Sequence, residues 1–238
     1  MNARAWRLPG HVALILDGNR RWARRRNLPL RAAYEAGEAR FAEAIRLAAT
    51  KDAIQEISCF LFAESNWQRP PDQVRELLAV LQAALPQRTT EWIDSGVRVS
   101  WVGVEQGLSD SLVRQLETCE QLTRSGDRLR LNLCLNYSGA RDIWGGGHPA
   151  LERHAWNSNA ERSRREAETI PFLSGGVGQV DLIVRTSGEH RLSGFLPIQA
   201  LEAEVAFVSS NWPDFDAGQL TQCLSEFSSR RRTLGGGE

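Results

Sequence analysis

Lysine is almost absent from this chain. Its 238 residues include 29 Lys and Arg together, and Lys51 is the sole lysine. No G-x-x-x-x-G-K-[ST] loop can therefore be drawn, and Schiff-base chemistry has one candidate residue. Codon bias in a GC-rich genome is the bland reading of the ratio. Its consequence is that nearly every cation is a planar, bidentate ligand for oxyanions. Net charge is also absent: 29 acidic groups balance 29 basic ones. That removes any global bias toward nucleic acid or an anionic membrane. No apolar run approaches membrane-spanning length, and Met1–Pro9 carries no hydrophobic signal region. The four cysteines, Cys59, Cys119, Cys134 and Cys223, are scattered through apolar patterns and read as reduced core residues. A cytoplasmic protein with no integral membrane segment and no nucleic-acid partner is expected. No G-x-S-x-G appears. His148 and His154 have no cysteine near them, which argues against a metal site there; His11 reads as structural, and His190 as a residue supporting a site rather than contacting a ligand.

What is present centres on His11–Trp22, HVALILDGNRRW. Val12–Leu16 is an apolar run between Pro9-Gly10 and Asp17-Gly18-Asn19, which predicts a buried strand. Arg20–Arg26 has no breaker and predicts a helix. An Asp, a Gly and an Asn thus stand where a strand ends and a helix begins, the place where open α/β sheets bind ligands. The helix start suits phosphate, Asp17 suits a hard divalent cation, and Arg20 and Arg21 suit phosphate oxygens. The alternative is an Asp turn with solvated arginines behind it.

The rest of the chain alternates helix and strand. Helices are expected over Ala32–Thr50 (Phe41, Ala44, Ile45 and Ala48 inward) and Asp72–Glu91 (Val74, Leu77, Leu78, Leu81 and Leu85). Further helices are expected over Ser109–Arg124 (Leu112, Leu116, Cys119 and Leu122 inward, capped by Ser109 or Asp110) and Ala217–Arg231. Strands are expected over Ile54–Phe62, Val97–Val102, Leu129–Tyr137, Val180–Val184 and Glu204–Val208. Trp144–Gly178, glycine-rich with a charged middle, reads as a long loop carrying one short helix. The β-α alternation predicts an α/β fold with a mostly parallel sheet and helices on both faces. Arg185–Ser193, RTSGEHRLS, follows a strand and belongs at the same rim. Arg185, Arg191 and Ser193 there suggest a second oxyanion site, hence two phosphorylated substrates or one with two ends.

With these residues in view, the chain resembles the cis-prenyltransferases, the undecaprenyl diphosphate synthase family. His11-Val12-Ala13 through Asp17-Gly18-Asn19-Arg20-Arg21-Trp22-Ala23 is similar to the family's first signature, and Phe62 through Asn66-Trp67-Gln68-Arg69-Pro70 to the second. Asn132 through Gly139 resembles a third, and Val180 through Ser193 a fourth. Trp212-Pro213-Asp214-Phe215-Asp216 and the Arg-rich Gly-Gly tail resemble the close. The matches fall in family order and cover nearly everything except Trp144–Gly178.

The resemblance implies a single cis-prenyltransferase domain over residues 1–238 with a hydrophobic tunnel. It implies a Mg²⁺-dependent enzyme that couples an allylic diphosphate to isopentenyl diphosphate. There is no adjacent Asp pair, so the metal motif of the trans enzymes is missing. By resemblance Asp17 holds Mg²⁺, with Glu204 as a second ligand. Gly18, Asn19, Arg20, Arg21, Trp22 and Arg31 belong to the allylic side. Arg185, Arg191 and Ser193 bind the homoallylic diphosphate, which Asn66 and Arg69 orient near the proton to be lost. The tail glycines Gly235 and Gly236 reach the partner's site in a homodimer. The apolar faces around Phe41 and Leu77–Leu85 suit a dry channel, plain core packing being the alternative.

Departures from the family pattern carry information too. Ala63 and Ser65 stand where the family has Ser and Glu, and Ala33-Tyr34 where it has Gly-His. Leu30 replaces an Arg, with Arg31 one position later. Pro197 is expected to break a local helix. Leu61 replaces a small tunnel residue, so a short tunnel and a C10–C15 cis product are expected. The loss at Ala63 raises a second possibility, head-to-middle coupling of two dimethylallyl diphosphates to a lavandulyl or cyclolavandulyl skeleton. A third is a non-catalytic partner subunit. Retention of Asp17, Asn19, Arg21, Arg185 and Arg191 argues against it.

Overall fold

Six parallel strands place Asp17 and Arg185 side by side. The computed structural model describes residues 8–143 and 174–230. Their strands are β1 (His11–Ile15), β2 (Glu56–Ala63), β3 (Val97–Val102), β4 (Leu129–Tyr137), β5 (Leu182–Arg185) and β6 (Glu204–Phe207). They lie in the order β3-β4-β2-β1-β5-β6, every pair parallel. The chain fills one side of β1 first and returns to the other with β5. That reversal opens a crevice at the carboxyl ends of β1 and β5, where Ile15 is in register with Arg185.

β1 is buried along its whole length, as a central parallel strand must be. Its side chains alternate between two cores. Val12 and Leu14 join the larger one; Ala13 and Ile15 join the smaller. The larger core is closed by α2 (Leu30–Ala49), α3 (Pro71–Asp94), α4 (Asp110–Thr123) and α6 (Ala217–Ser229). Helices on both faces were expected. Among the described residues these four helices all serve the one core, and the opposite face is packed by Phe195 and Leu196, with Leu192 and Ala200 beside them. Leu196 has a positive φ of 44° just before Pro197, so no helix forms there, as Pro197 predicts. α1 (Asn19–Arg26) and the short α5 (Gly139–Ile143) complete the described α-helices, with 3₁₀ turns at Glu64–Gln68 and Trp212–Asp214.

Three local departures have physical causes. Leu122 is 54% exposed, not inward. The inner face of α4 continues through Leu112, Leu116 and Cys119 to Thr123, whose buried hydroxyl accepts the Val99 N–H. Ser109, not Asp110, caps that helix, accepting from Leu112 N at 3.2 Å. α3 runs through Pro86 to Asp94, three residues past its expected end. In β4, Asn136 adopts φ 56°, which resets the alternation so that Leu135 and Tyr137 face opposite cores. Most of the segment expected as a long loop, Trp144–Gly178, lies outside the described residues, as do the tail glycines. A buried polar group sits at the far end of the sheet from the crevice. His11 Nε2 contacts Ser58 Oγ at 2.8 Å, and Asn132 donates to both Ser58 Oγ and Glu56 Oε1.

Candidate active site

At the carboxyl ends of β1 and β2, between α1, α2 and α3, lies a cavity of about 750 Å³. Its composition is mixed. Asp17, Gly18, Asn19, Arg20, Arg21, Arg24, Asn66, Arg69, Arg185, Glu189, Arg191 and Ser193 form the polar part of the wall. Phe41, Phe60, Leu61, Leu77, Val80 and Leu81 form an apolar part. Of the faces expected to suit a channel, Phe41, Leu77 and Leu81 line the cavity, whereas Val74 and Leu85 are packed in the core. This is also why Leu77 and Leu81 are only partly buried.

Local geometry fixes the mouth. Gly18 has φ 106°, and a Cβ there would lie 2.6 Å from Asn211 Oδ1, so only glycine fits the turn into α1. The Gly18 N–H donates to Asp17 Oδ1 at 2.7 Å. No side chain caps α1, which leaves its positive end toward the cavity. Arg185 is 3% exposed. Its Nη2 donates to Asp17 Oδ2 at 2.8 Å and its Nη1 to Ser193 Oγ at 2.8 Å. Thr186 Oγ1 donates to the Asp17 carbonyl at 2.7 Å, tying the ends of β1 and β5 together. The two oxyanion stretches expected as separate sites are thus one charged cluster.

Arg21 extends that cluster. It lies 3.6 Å from Asp17, donates to the Ser187 carbonyl, and pairs with Glu189 at 2.7 Å. Glu189 also pairs with Arg191. Hydrogen bonding from Arg191, with the charge of Arg21 behind it, holds the Glu189 carboxyl below the usual carboxylate range. After β2, Asn66 Oδ1 accepts the Ala63 N–H, and Asn136 Oδ1 accepts Trp67 Nε1–H at 2.8 Å. The wall also contains buried polar atoms with no hydrogen-bond partner: Arg185 Nε, Asn19 Oδ1 and the Tyr34 hydroxyl. Buried polar atoms are rarely left so, and these mark where a polar ligand would be received.

Three expected site residues stand elsewhere. Trp22 is absent from the wall; its Nε1 donates to Asp214 Oδ1 at 2.7 Å under the Arg26 guanidinium, joining α1 to the turn at Trp212–Asp214. Arg31 lies on the exposed side of α2, paired with Glu35. Glu204 opens β6, in register with Leu182, whereas Phe207 is in register with Arg185. Three residues of strand, about 10 Å, therefore separate it from the carboxyl rim, and its carboxylate accepts from Arg230 at 2.9 Å. A parallel strand presents only its last residues to the rim, so Glu204 is not a neighbour of Asp17 within one chain. His190 stacks on Phe207 and does not line the cavity.

Among the wall residues that the sequence reading did not assign to the site are Arg24, Glu189 and Tyr34. Glu189 adds a negative charge between two arginines chosen for their positive charge. Tyr34 shares one face of α2 with Gly37 and Phe41, at the three- and four-residue spacing that puts side chains on one stripe. That spacing was available from the sequence. Burial raises the Tyr34 phenol above its ordinary value, with Arg69 and Arg20 opposing the shift. Burial likewise lowers Arg69, and the charge of Arg20 adds to the effect.

The family of undecaprenyl diphosphate synthases, a prenyltransferase family, matches residues 15–235. The chain belongs to this family. A trans,polycis-polyprenyl diphosphate synthase, (2Z,6E)-farnesyl diphosphate specific, from Thermobifida fusca is 36% identical over 233 residues, 97% of this chain and 82% of that protein. A decaprenyl diphosphate synthase from Mycobacterium tuberculosis is 35% identical over 230 residues, 96% and 77% of the two chains. The crystal structure of lavandulyl diphosphate synthase from Lavandula x intermedia superposes with a TM-score of 0.81 at 23% identity, covering 96% of this chain and 99% of that one. At that identity the likeness establishes the α/β fold. The cis-prenyltransferase is thus a transferase of isoprenoid biosynthesis acting on prenyl diphosphates. Among its described residues no helix is long and apolar enough to cross a membrane.

Proposed function

We propose that this prenyltransferase condenses dimethylallyl or geranyl diphosphate with isopentenyl diphosphate to a short cis-prenyl diphosphate of C10–C15. The observation that carries this reading is one cavity whose wall combines arginines of α1, the β2–α3 link and β5 and its loop with the apolar side chains Phe41, Phe60, Leu61, Leu77, Val80 and Leu81. The allylic C–O bond breaks as negative charge builds on the leaving diphosphate. Preplaced guanidinium groups stabilise that charge without reorganising. A charge-assisted hydrogen bond contributes about 1.5–3 kcal/mol net, so the several arginines at the mouth act together. The allylic cation and its hydrocarbon tail then face Phe41, Leu77, Val80 and Leu81, which exclude water. Leu61 narrows the wall and limits chain growth. Asn66 and Arg69, also in the cavity wall, orient the second substrate for loss of its proton.

The donor set fits Mg²⁺. Asp17 offers a partly exposed carboxylate at the cavity wall. One such carboxylate plus substrate phosphates is the ordinary setting for this ion. Asp17 would hold it, and it would add Lewis-acid stabilisation to the departing diphosphate. A homodimer is part of the proposal, supported by the exposed Phe207 on edge strand β6.

A second reading has one observation in its favour. Ala63 and Ser65 line the cavity beside Asn66, and neither supplies a strong proton acceptor. Two dimethylallyl diphosphates could then couple head-to-middle. Product analysis separates the two. With Mg²⁺ and both C5 diphosphates, a linear cis alcohol is expected after dephosphorylation, and none from dimethylallyl diphosphate alone. A branched or cyclic C10 alcohol from dimethylallyl diphosphate alone would overturn the first reading in favour of the second.

A further inference from the structure

The turn that follows β2 is held from outside the cavity. Pairing between β2 and β4 slips out of register over Phe60–Ala63, so the ladder does not set where the chain goes next. Two side-chain links replace it. Trp67, near the end of the 3₁₀ turn Glu64–Gln68, donates to Asn136 Oδ1 at 2.8 Å, and Asn136 in turn donates to the Val104 and Gln106 carbonyls. Glu64, the first residue of the turn, receives two hydrogen bonds from Arg141 of α5: Nε donates to Oε2 at 3.2 Å, and Nη2 donates to Oε1. Between these links lie Ser65 and Asn66, which line the cavity; Glu64 and Arg141 do not.

α5 is firmly seated. Asp142 is buried and accepts from the Tyr137 hydroxyl at 2.7 Å, from Ser174 Oγ at 2.6 Å and from the Ser174 N–H at 3.1 Å. At Gly139 a Cβ would stand 1.9 Å from the Gly194 carbonyl oxygen, so the start of the helix abuts the chain just past Ser193. Ser193 accepts from Arg185, which also holds Asp17. One five-residue helix thus touches both the turn bearing Asn66 and the loop bearing Ser193. An ion pair as exposed as Glu64–Arg141 contributes little to stability. Its bidentate geometry instead fixes orientation, between segments 77 residues apart.

We propose that Glu64 and Arg141 are positioning residues for the second substrate: their ion pair fixes the turn after β2, so that Asn66 and Arg69 meet that substrate at a set distance from the Asp17–Arg185 cluster. The inference rests on the reading of this cavity as the site of condensation with isopentenyl diphosphate. Two reactants must be held within a narrow range of approach, and an error of about 1 Å can cost about 100-fold in rate. The pair acts through the backbone of the turn and touches no reacting atom.

The test is steady-state kinetics on Glu64→Ala, Arg141→Ala and the double variant of the full chain in Mg²⁺ buffer, with dimethylallyl or geranyl diphosphate as the allylic substrate. Each single variant should raise KM for isopentenyl diphosphate about 10-fold while KM for the allylic substrate stays within about 2-fold of wild type; the double variant should be no worse than either single one, because both remove the same link. Thermal midpoints should fall little. An unchanged KM for isopentenyl diphosphate overturns the inference, as do equal rises in both KM values or losses that add in the double variant. If Arg141→Ala does not fold, Glu64→Gln decides. It keeps an acceptor for Arg141, so a KM near wild type supports the inference and a KM as high as that of Glu64→Ala overturns it. A wild type that consumes no isopentenyl diphosphate overturns the condensation reading itself, a result distinct from unchanged KM values in the variants.

Discussion

Asp17 is engaged at both carboxylate oxygens, one by the Gly18 N–H and one by Arg185. This dictates which substitution is informative. Asp17→Ala strands the nearly buried guanidinium of Arg185, so it should destabilise the fold by about 1–3 kcal/mol in addition to ending turnover. Asp17→Asn keeps an acceptor for Arg185 and removes the charge. It should lower kcat by about 10²–10³-fold, the cost of losing one preorganised electrostatic group, with the thermal midpoint nearly retained. Steady-state kinetics with thermal melts checks both; a kcat within a few-fold of wild type in Asp17→Asn would remove Asp17 from the chemistry. At this scale the strand-end motif made Asp17, Gly18, Asn19, Arg20 and Arg21 legible. Trp22 and Arg31 lie outside the cavity wall, because motif membership does not say which side of a helix a residue occupies. Trp22 is spent on Asp214, and Arg31 on Glu35.

Between elements, α2 lies tight against α1 and the Trp212 turn at the site. At Gly37 a Cβ would stand 2.7 Å from Asn19 Oδ1 and 2.9 Å from Trp212 Cδ1, while Trp212 Nε1 donates to the Gly37 carbonyl at 2.8 Å. Gly37→Ala must displace Asn19 or Trp212. Overpacking of this kind costs about 1–3 kcal/mol, and here the displaced side chain is a wall residue. The variant should show both a lower midpoint in denaturant titration and a raised KM; an unchanged KM would mean that Asn19 is not held by this contact. Helix periodicity revealed the inward faces of α2 and α6. It did not separate core from cavity wall in α3, since Leu77 and Leu81 carry the same period as Val74 and Leu85. An empty space beside a helix leaves no mark on its spacing.

For the whole molecule, stability should depend on pH through His11. Burial lowers its pKa below the ordinary 6.5, with Glu56 and the Gly178 carbonyl opposing. The unfolded chain then binds more protons near that value than the folded one. The His11 contribution is complete above about pH 6.5 and is lost as pH falls through the folded pKa. The unfolding free energy should therefore decline from pH 7 to pH 5, and His11→Gln should flatten that decline; an identical slope in the variant would refute the assignment. The sequence by itself determined the alternation of strands and helices, the all-parallel tendency and the arginine-rich rim, because these follow from local periodicity, breakers and residue chemistry. Only the tertiary structure decided that Arg185 lands on Asp17, that Glu204 starts its strand three residues from the rim, and that Tyr34 shares one cavity wall with Arg20 and Arg69. Those outcomes depend on strand order and register, which pair residues as far apart as 17 and 185 and are set by the packing of the whole sheet.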